Sequence, residues 1–356
     1  MRTVKLTTGN LIFQNSQKLN ELTDFGSRMN LKRGFLFISK VLGKHIPTKP
    51  SLMTQNFQEL ANLIKDRIDD QPTLIIGFAE TATALGHGVF ENLNCSNCEY
   101  IHTTRYQTSK DRLVEFMEEH SHAPSHILYK PKTEVSEIRN IILIDDEIST
   151  GKTVVNIVAE LKKVFPNVKK YSVASMLNWS NLQNSDIDFF SIYSGKFEFI
   201  KNRYEIPKNL ISETRNPKNI DQIIPNNFGR FGIQQKLDFD FEQILNDIQI
   251  DGKTVVIGTG EFMYPPYLLA KYLEAKGVDV YFQATTRSPI NIDGIINSKI
   301  SFKDNYFEEI DNFLYNLSDI QYHKIILCYE TKTLPENFLL KSILEDEGFS
   351  VEEIYF

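Results

Sequence analysis

The chain has 356 residues, of which 41% are apolar and 12% aromatic, and its formal net charge is -7. This length suffices for two domains with cores of their own. The negative charge argues against a protein whose main task is to neutralise nucleic-acid phosphates or to sit on an anionic membrane.

The sequence also lacks the usual signs of export. No apolar run approaches the roughly 18 to 20 residues of a membrane span, and the start, MRTVKLTTGN, has no apolar signal core. Three cysteines, Cys95, Cys98 and Cys328, give no disulfide framework, as is typical of a reducing compartment. Cys95 and Cys98 form a lone C-x-x-C pair, for which a structural role is favoured over a zinc or redox site. We therefore predict a cytoplasmic protein that binds neither nucleic acid nor membrane.

The first part of the chain has an alternating pattern. From about Gly34 to Val173, strand-like apolar runs alternate with helical stretches, which predicts a parallel sheet flanked by helices. The predicted strands are LIIGFA (74–79), CEYIHTT (98–104), IILIDD (141–146) and YSVASML (171–177). The stretch from about Gln183 to Phe241 has little periodicity, and we interpret it as an accessory or connecting region.

The alternation restarts near Asp251 and predicts a second, smaller α/β domain. Its predicted elements are the strand KTVVIGTG (253–260), a helix over 266–277, the strands VDVYFQAT (278–285) and KIILCYE (324–330), and a helix before the strand FSVEEIYF (349–356). We therefore predict two domains, residues 1–240 and 251–356.

The stretch IILIDDEISTGKT (141–153) carries the clearest chemical signal. It ends like a nucleotide-binding P-loop, but Asp146 stands where that loop begins with glycine. Two acids follow a buried strand, and ligands of open α/β sheets bind at that end. The small turn that follows enters a helix, which favours a phosphate, whereas adjacent carboxylates suit a cis-diol or a divalent cation. The pattern therefore suggests a bound ribose 5-phosphate.

Two simpler interpretations exist for the same stretch. A strand followed by a helix needs only one Ser or Thr as its N-cap, and this does not explain the two acids. A Walker B strand of an ATPase would require a GxxxxGK[ST] motif elsewhere, and the sequence has none.

IILIDDEISTGKT resembles the phosphoribosyl-diphosphate (PRPP) motif of type I phosphoribosyltransferases. The resemblance implies a Rossmann-like parallel sheet, pentosyltransferase activity, PRPP with Mg2+, and a nitrogenous small-molecule acceptor. It implies that Asp145 and Asp146 bind the ribose diol and the metal. The 5-phosphate would lie against Ser149, Thr150, Gly151, Lys152 and Thr153. We also expect a homodimer and partner enzymes of a biosynthetic gene cluster.

The resemblance implies two further loops. GFAETATALG (77–86) is similar to the diphosphate-binding loop, with the backbone amides of Ala79, Glu80, Thr81 and Ala82 facing the diphosphate. Residues 100–131 stand at the position of the mobile loop that closes over the site. There Arg105, Lys110 and Arg112 are predicted to meet the charge that develops on the leaving group, although each also fits a solvated surface loop.

Several basic residues are weaker candidates. His120, His122 and His126 form H-x-H-x3-H, a pattern that can bind zinc, but no fourth ligand is evident, and substrate contact or an ordinary loop role is preferred. The segment NLKRGFLFISKVLGKHIPTKP (30–50) is a candidate for the hood under which type I enzymes bind their nitrogenous substrate. Its Lys40, Lys44 and His45 would then bind an acidic co-substrate or a phosphate. A basic amphipathic helix with its charges in water is the alternative.

The segments GTGEFMYPPYLLAKYLE (258–274) and ATTRSPI (284–290) resemble the TRSP domain, which is found joined to phosphoribosyltransferase domains in bacterial gene clusters for tellurite resistance and stress. The strand end before the helix predicts an anion-binding corner. Its candidate residues are Gly258, Gly260, Glu261, Thr286, Arg287 and Ser288. A dinucleotide site is disfavoured, because Met263 and Gln283 occupy the positions of a third glycine and an acid.

The two resemblances imply a PRPP-dependent transferase whose product is nucleotide-like, in the biosynthesis of a nucleoside-like stress metabolite. Ser149 stands where enzymes that salvage 6-oxopurines carry an aspartate, which puts a hypoxanthine or guanine acceptor in doubt. The alternative is a non-catalytic PRPP or nucleotide sensor with the same fold. A catalytic step of its own in the second domain also stays open.

Overall fold

The computed structural model describes residues 1–28, 30, 33–116, 126–169, 171–180, 182–203 and 219–356. The strands are β1 (Arg2–Leu6), β2 (Gly9–Phe13), β3 (Thr23–Ser27), β4 (Phe35–Ser39), β5 (Thr73–Gly77), β6 (Cys98–His102), β7 (Arg112–Phe116), β8 (His126–Tyr129), β9 (Asn140–Ile148), β10 (Tyr171–Asn178), β11 (Ile187–Ser194), β12 (Phe197–Lys201), β13 (Thr254–Gly258), β14 (Val280–Ala284), β15 (Lys299–Lys303), β16 (Asp311–Tyr315), β17 (Lys324–Tyr329) and β18 (Ser350–Tyr355). The helices are α1 (Gln17–Leu22), α2 (Pro50–Ile64), α3 (Ala82–Leu93), α4 (Lys152–Val164), α5 (Phe241–Ile244), α6 (Tyr264–Ala275) and α7 (Leu340–Asp346).

The first sheet has five parallel strands in the order β11-β10-β9-β5-β6. Every residue of β5 and β6 is buried. This is expected for β5, a central strand covered on both faces, whereas β6 stands at the edge of the sheet, where Tyr100 bridges to Ile233. The predicted parallel sheet is therefore confirmed. β11 lies within the stretch that was interpreted as accessory, so that interpretation was wrong for these residues. β11 is a half-exposed edge strand and lacks the continuous apolar run of its neighbours.

Two antiparallel elements stand beside this sheet. β1 and β2 form a hairpin that is joined by β12, and β3 pairs with β4. The alternative of a basic amphipathic helix over residues 30–50 is wrong, because residues 33–49 form β4 and then a series of bends. Its phenylalanines pack in an aromatic cluster, in which Phe37 stacks on Trp179 with ring centres 4.7 Å apart.

The second sheet has four parallel strands in the order β14-β13-β17-β18. This confirms a second α/β region. Its edge is extended by the first region: Thr48 N–H donates to Phe282 O (2.9 Å) and Ala284 N–H donates to Gly43 O (2.7 Å). Helices α2 and α3 pack against α6, so the apolar core continues from one sheet towards the other. The boundaries at residues 240 and 251 stay a prediction.

The structure also bears on the predictions about the cysteines and about membrane spans. Cys95 and Cys98 form a disulfide, whereas Cys328 is a buried free thiol. The sequence predicted no disulfide framework and did not anticipate this single bond, so cysteine usage no longer supports a reducing compartment. Among the helices formed by the described residues, none is both long and apolar enough to cross a membrane.

Candidate active site

The paired acids lie where one neighbouring strand has ended. β9 runs beside β5 only as far as Ile144, whose partner is Gly77, but it continues beside β10, where Asp145 is opposite Ser175. The strand therefore extends past the predicted end, through both acids to Ile148. Asp146 N–H donates to Asp145 Oδ1 (2.9 Å), and both side chains are only partly buried. The two carboxylates thus lie at the open carboxyl edge of the sheet.

The turn after β9 enters α4 through a glycine. Gly151 is the N-cap with a φ of 76°, and no side chain caps the helix. The alternative of a Ser or Thr N-cap is therefore wrong. Lys152 N–H makes a long hydrogen bond of 3.4 Å to Thr150 Oγ1. An uncapped first turn presents backbone N–H groups and the positive end of the helix dipole, a suitable arrangement for a phosphate.

Glu147, the residue of β9 after the two acids, forms an ion pair that the sequence did not predict. Arg33 Nη2 lies 2.7 Å from each oxygen of Glu147, and the guanidinium stacks over Phe35 at 4.8 Å. Burial raises the pKa of Glu147, although Arg33 opposes this effect. The pair joins β9 to the N-terminal segment, and only the folded chain reveals it, because 114 residues separate the partners.

The loop between β5 and α3 places its backbone beside the acids. Phe78 N–H donates to Ile144 O (3.0 Å), and the Ala79–Glu80 peptide bond is cis. Ala79 N–H donates to Thr103 Oγ1 (2.9 Å). This amide is therefore directed towards the loop after β6, which corrects its predicted place among the groups facing the diphosphate. The amides of Glu80, Thr81 and Ala82 stay candidates.

The side chain of Glu80 is buried at the boundary with the second region. Its Oε2 accepts a hydrogen bond from Thr286 Oγ1 (2.9 Å) and lies 3.3 Å from Lys44 Nζ. Its Oε1 lies 4.0 Å from Arg287 Nε. Burial alone would raise the pKa of Glu80, but the charges of Lys44, Arg105 and Arg287 and the Thr286 hydrogen bond lower it to about 2. Glu80 is therefore a charged carboxylate at neutral pH.

The three predicted leaving-group cations are not brought together. Arg105 lies inward: its N–H donates to Glu261 Oε1 (2.7 Å), and its charge acts on Glu80. Lys110 and Arg112 are exposed, and Arg112 pairs with Glu115 at 3.4 Å. The predicted convergence of all three is wrong for Lys110 and Arg112, which stand on or before strand β7 with their side chains at the surface.

The three histidines of the H-x-H-x3-H pattern are not all described by the structure. His120 and His122 lie outside the described residues, whereas His126 Nδ1 is 3.0 Å from Thr103 Oγ1 and its ring stacks on Phe116. Across the part of the chain that the structure describes, no three His, Cys, Asp or Glu side chains are grouped to hold a metal ion.

In the predicted hood segment, Lys40 Nζ donates to Asn20 O (2.7 Å). Lys44 and His45 are buried, so the alternative of solvated charges is wrong for them. Lys44 Nζ donates to Gly260 O (2.7 Å), and burial lowers its pKa. Burial also lowers the pKa of His45 to about 3, which leaves this ring neutral.

The predicted anion corner of the second region is filled by the protein itself. Gly258 ends β13, and Gly260 N–H donates to Thr285 Oγ1 (2.9 Å). The carboxylate of Glu261 accepts from Thr104 Oγ1 (2.5 Å) as well as from the Arg105 amide. A buried carboxylate in this place corrects the expectation of an open anion site at the glycines.

The signature residues of the second region turn towards the first. Arg287 Nη2 pairs with Glu308 Oε2 at 2.9 Å, and its guanidinium stacks over Tyr106 at 4.7 Å. Ser288 N–H donates to Thr286 Oγ1 (3.2 Å). The anion that Arg287 meets is thus a carboxylate of the same chain.

A buried ionic cluster, not anticipated from the sequence, completes the boundary. Arg230 donates to both oxygens of Glu330 at 2.6 Å and lies 3.3 Å from Glu261, with all three side chains almost fully buried. Tyr306 also donates to Glu330. Arg230 belongs to the stretch interpreted as connecting, where one arginine among many polar residues gives no local sign of burial.

The comparisons with known proteins agree with this arrangement. Residues 22–191 match a family described as phosphoribosyl transferase, and residues 227–346 match the TRSP domain that lies C-terminal to it. The chain belongs to the phosphoribosyl transferases that carry a TRSP domain. The PRPP-like stretch and the loop after β5 lie in the transferase domain, whereas the Thr-Arg-Ser-Pro signature lies in the TRSP domain.

Several solved structures are similar to part of the chain. Adenine phosphoribosyl transferase from Trypanosoma brucei is 16% identical, with a TM-score of 0.35 over 50% of this chain and 78% of that one. The adenine enzyme from Leishmania donovani is 15% identical, with a TM-score of 0.34 over 51% and 86%. Purine phosphoribosyltransferase from Pyrococcus horikoshii is 16% identical, with a TM-score of 0.27 over 40% and 82%. No curated protein matches the sequence.

Proposed function

We propose that the chain transfers the phosphoribosyl group of PRPP to a nitrogenous small molecule and releases diphosphate. The observation that carries the proposal is the arrangement of groups at the carboxyl edge of the first sheet, where β9 ends. Two half-exposed carboxylates, Asp145 and Asp146, stand beside a short turn that enters an uncapped helix. One end of this edge suits a diol and the other suits a phosphate.

The binding roles follow from these positions. Asp145 and Asp146 accept hydrogen bonds from the ribose hydroxyls. The 5-phosphate lies against the turn and the first residues of α4, namely Ser149, Thr150, Gly151, Lys152 and Thr153. The amides of Glu80, Thr81 and Ala82, after β5, face the diphosphate. The three sets converge because the carboxyl ends of parallel strands meet at one edge of a sheet.

The donor set at this edge fits Mg2+. Asp145 and Asp146 offer hard carboxylate oxygens, and Mg2+ is usually held by one or two carboxylates together with substrate phosphates. A protein cluster of three ligands is therefore not required. When bound with PRPP, the ion would neutralise part of the diphosphate charge.

In the reaction, the bond between C1 and the diphosphate oxygen breaks, and its electron pair leaves with the diphosphate. The lone pair of the acceptor nitrogen forms the new C1–N bond, and the proton displaced from nitrogen passes to diphosphate or water. No covalent enzyme intermediate is needed, so the protein acts by positioning and by charge stabilisation. Arg105 is the predicted cation that lies nearest this chemistry, beside Glu80.

The acceptor is proposed by class only. Ser149 leaves the turn without the aspartate of 6-oxopurine salvage, which favours another nitrogenous acceptor, in the synthesis of a nucleoside-like stress metabolite. A setting in the cytoplasm, among the enzymes of a tellurite-resistance gene cluster and as a homodimer, is part of the same proposal.

Calorimetric titration of PRPP with Mg2+ tests the proposal. We expect the intact chain to bind and the Asp145→Asn/Asp146→Asn variant to lose binding. The chain offers a matched control in a second adjacent pair, Asp69 and Asp70, which are exposed and precede β5 at the opposite edge of the sheet. Asp69→Asn/Asp70→Asn should bind PRPP like the intact chain. Failure of the intact chain to bind would refute the proposal.

A PRPP or nucleotide sensor is the second candidate. It is favoured by the surface positions of Lys110 and Arg112, which remove two of the three cations that had argued for a closing catalytic loop. The two candidates share the binding step and differ in turnover. A diphosphate-release assay with a panel of nitrogenous acceptors separates them, because a sensor binds PRPP without releasing diphosphate.

A further inference from the structure

The TRSP domain contacts the loop after β5 directly. Thr286 Oγ1 donates to Glu80 Oε2 at 2.9 Å, and Arg287 Nε lies 4.0 Å from Glu80 Oε1. In the first turn of α3, which follows this loop, Thr83 Oγ1 donates to the backbone carbonyl of Glu261 (2.9 Å). The loop and the helix turn after it are thus both held by the second domain.

The loop after β6 is held in the same way. Glu261 accepts from Thr104 Oγ1 and from the Arg105 amide, and Thr103 of the same loop accepts from Ala79. The two loops at the proposed diphosphate end of the site therefore share one support. That support consists of the turn after β13 and the segment after β14.

The charge of Glu80 explains why its contact with the second domain matters for a diphosphate. A carboxylate in a loop that receives a diphosphate would repel it unless the carboxylate is turned away and neutralised. Lys44, Arg105 and Arg287 surround Glu80, and the Thr286 hydrogen bond fixes the orientation of its carboxylate. Because the Glu80 side chain is 9% exposed, these interactions are little screened by water.

We propose that Thr286 and Arg287 of the Thr-Arg-Ser-Pro signature are positioning residues of the transferase site, acting through Glu80 on the diphosphate loop. The TRSP domain is then a part of the transferase site rather than a separate enzyme. The identity of the ligand as PRPP rests on the proposed function, whereas the positioning of the loop does not.

Thr286→Val tests the proposal, because it removes the hydroxyl and keeps the shape of the side chain. Thr54→Val is the matched control: Thr54 Oγ1 lies 2.6 Å from Tyr267 Oη, a hydrogen bond between α2 and α6 that joins the same two domains without a residue of the loop. Thr286→Ser keeps the hydroxyl and should therefore retain the slow exchange of the loop and the PRPP affinity of the intact chain. The hydrogen-exchange rates of the amides of residues 78–85 measure the order of the loop without any ligand. Calorimetric titration of PRPP measures the affinity of the site.

We expect the loop amides of Thr286→Val to exchange about tenfold faster and PRPP to bind about tenfold more weakly, the usual effect of losing a hydrogen bond to a charged group. Thr54→Val and Thr286→Ser should behave like the intact chain. Unchanged exchange in Thr286→Val would overturn the proposal, as would an equal change in Thr54→Val.

Failure of the proposed function and failure of this inference give different results. If the intact chain binds no PRPP, the proposed function fails, but the exchange of residues 78–85 still decides whether the TRSP domain positions the loop. If Thr286→Val does not fold, Glu80→Gln probes the same contact from the loop side. We expect Glu80→Gln to speed exchange of this loop as Thr286→Val does, and unchanged exchange would overturn the proposal.

Discussion

Replacing Glu80 with glutamine should destabilise the chain by an amount that depends on pH. The pKa of Glu80 falls from an ordinary 4.5 to about 2 in the folded chain. Each pKa unit corresponds to about 1.4 kcal/mol, so the charged carboxylate contributes about 3 kcal/mol at neutral pH. Because the folded pKa is the lower one, this stability is present above pH 4.5 and is lost as the pH falls towards 2. Roughly 1.5 kcal/mol should remain at pH 3.

Urea unfolding followed by fluorescence measures this contribution, since Trp179 is the single tryptophan and is buried. The difference in unfolding free energy between the intact chain and Glu80→Gln should be about 3 kcal/mol at pH 7 and about 1.5 kcal/mol at pH 3. Glu59→Gln is the control: Glu59 pairs with Lys18 at 2.7 Å on the surface and should change stability by less than about 1 kcal/mol. A difference of the same size at pH 7 and pH 3 would refute the reasoning.

Two other changes test the domain boundary and the phosphate turn. Arg230→Met leaves the carboxylates of Glu261 and Glu330 buried without their counter-charge and should cost about 3 to 5 kcal/mol; a melting temperature equal to that of the intact chain would contradict this. Gly151→Ala forces a side chain into a backbone with φ 76°, 3.0 Å from Leu182, at a cost of roughly 1 to 2 kcal/mol. It should weaken PRPP binding in calorimetry, and undiminished affinity would show that the turn does not meet the phosphate.

The sequence was most informative where neighbours along the chain decide the structure. The run from Ile141 to Ile144 predicted a buried strand, and the small residues after it predicted the turn into a helix. Both the strand and the helix are observed, although the strand continues to Ile148. It continues because β10 still offers hydrogen-bonding partners after β5 has ended, and the length of a neighbouring strand is not encoded locally.

Long-range pairs could not be anticipated in this way. Glu80 and Thr286 are separated by 206 residues, and nothing near Glu80 marks it as buried. The same reason explains Arg112: its charge suggested a role at the leaving group, but its surroundings, an exposed strand with Glu115 three residues later, pair it at the surface. A residue type indicates what chemistry is available, and only the fold decides where it is used.

The arrangement of the two regions suggests why they occur in one chain. The segment from Gly43 to Thr48 extends the edge of the second sheet, while Lys44, in the same segment, reaches both Glu80 and the carbonyl of Gly260. One short segment thus binds the TRSP sheet through its backbone and the loop after β5 through the side chain of Lys44. Separating the regions would expose the apolar faces of α2, α3 and α6 and would also remove two of the groups that hold the Glu80 carboxylate. The stability of the chain and the geometry of its proposed site therefore depend on the same contacts.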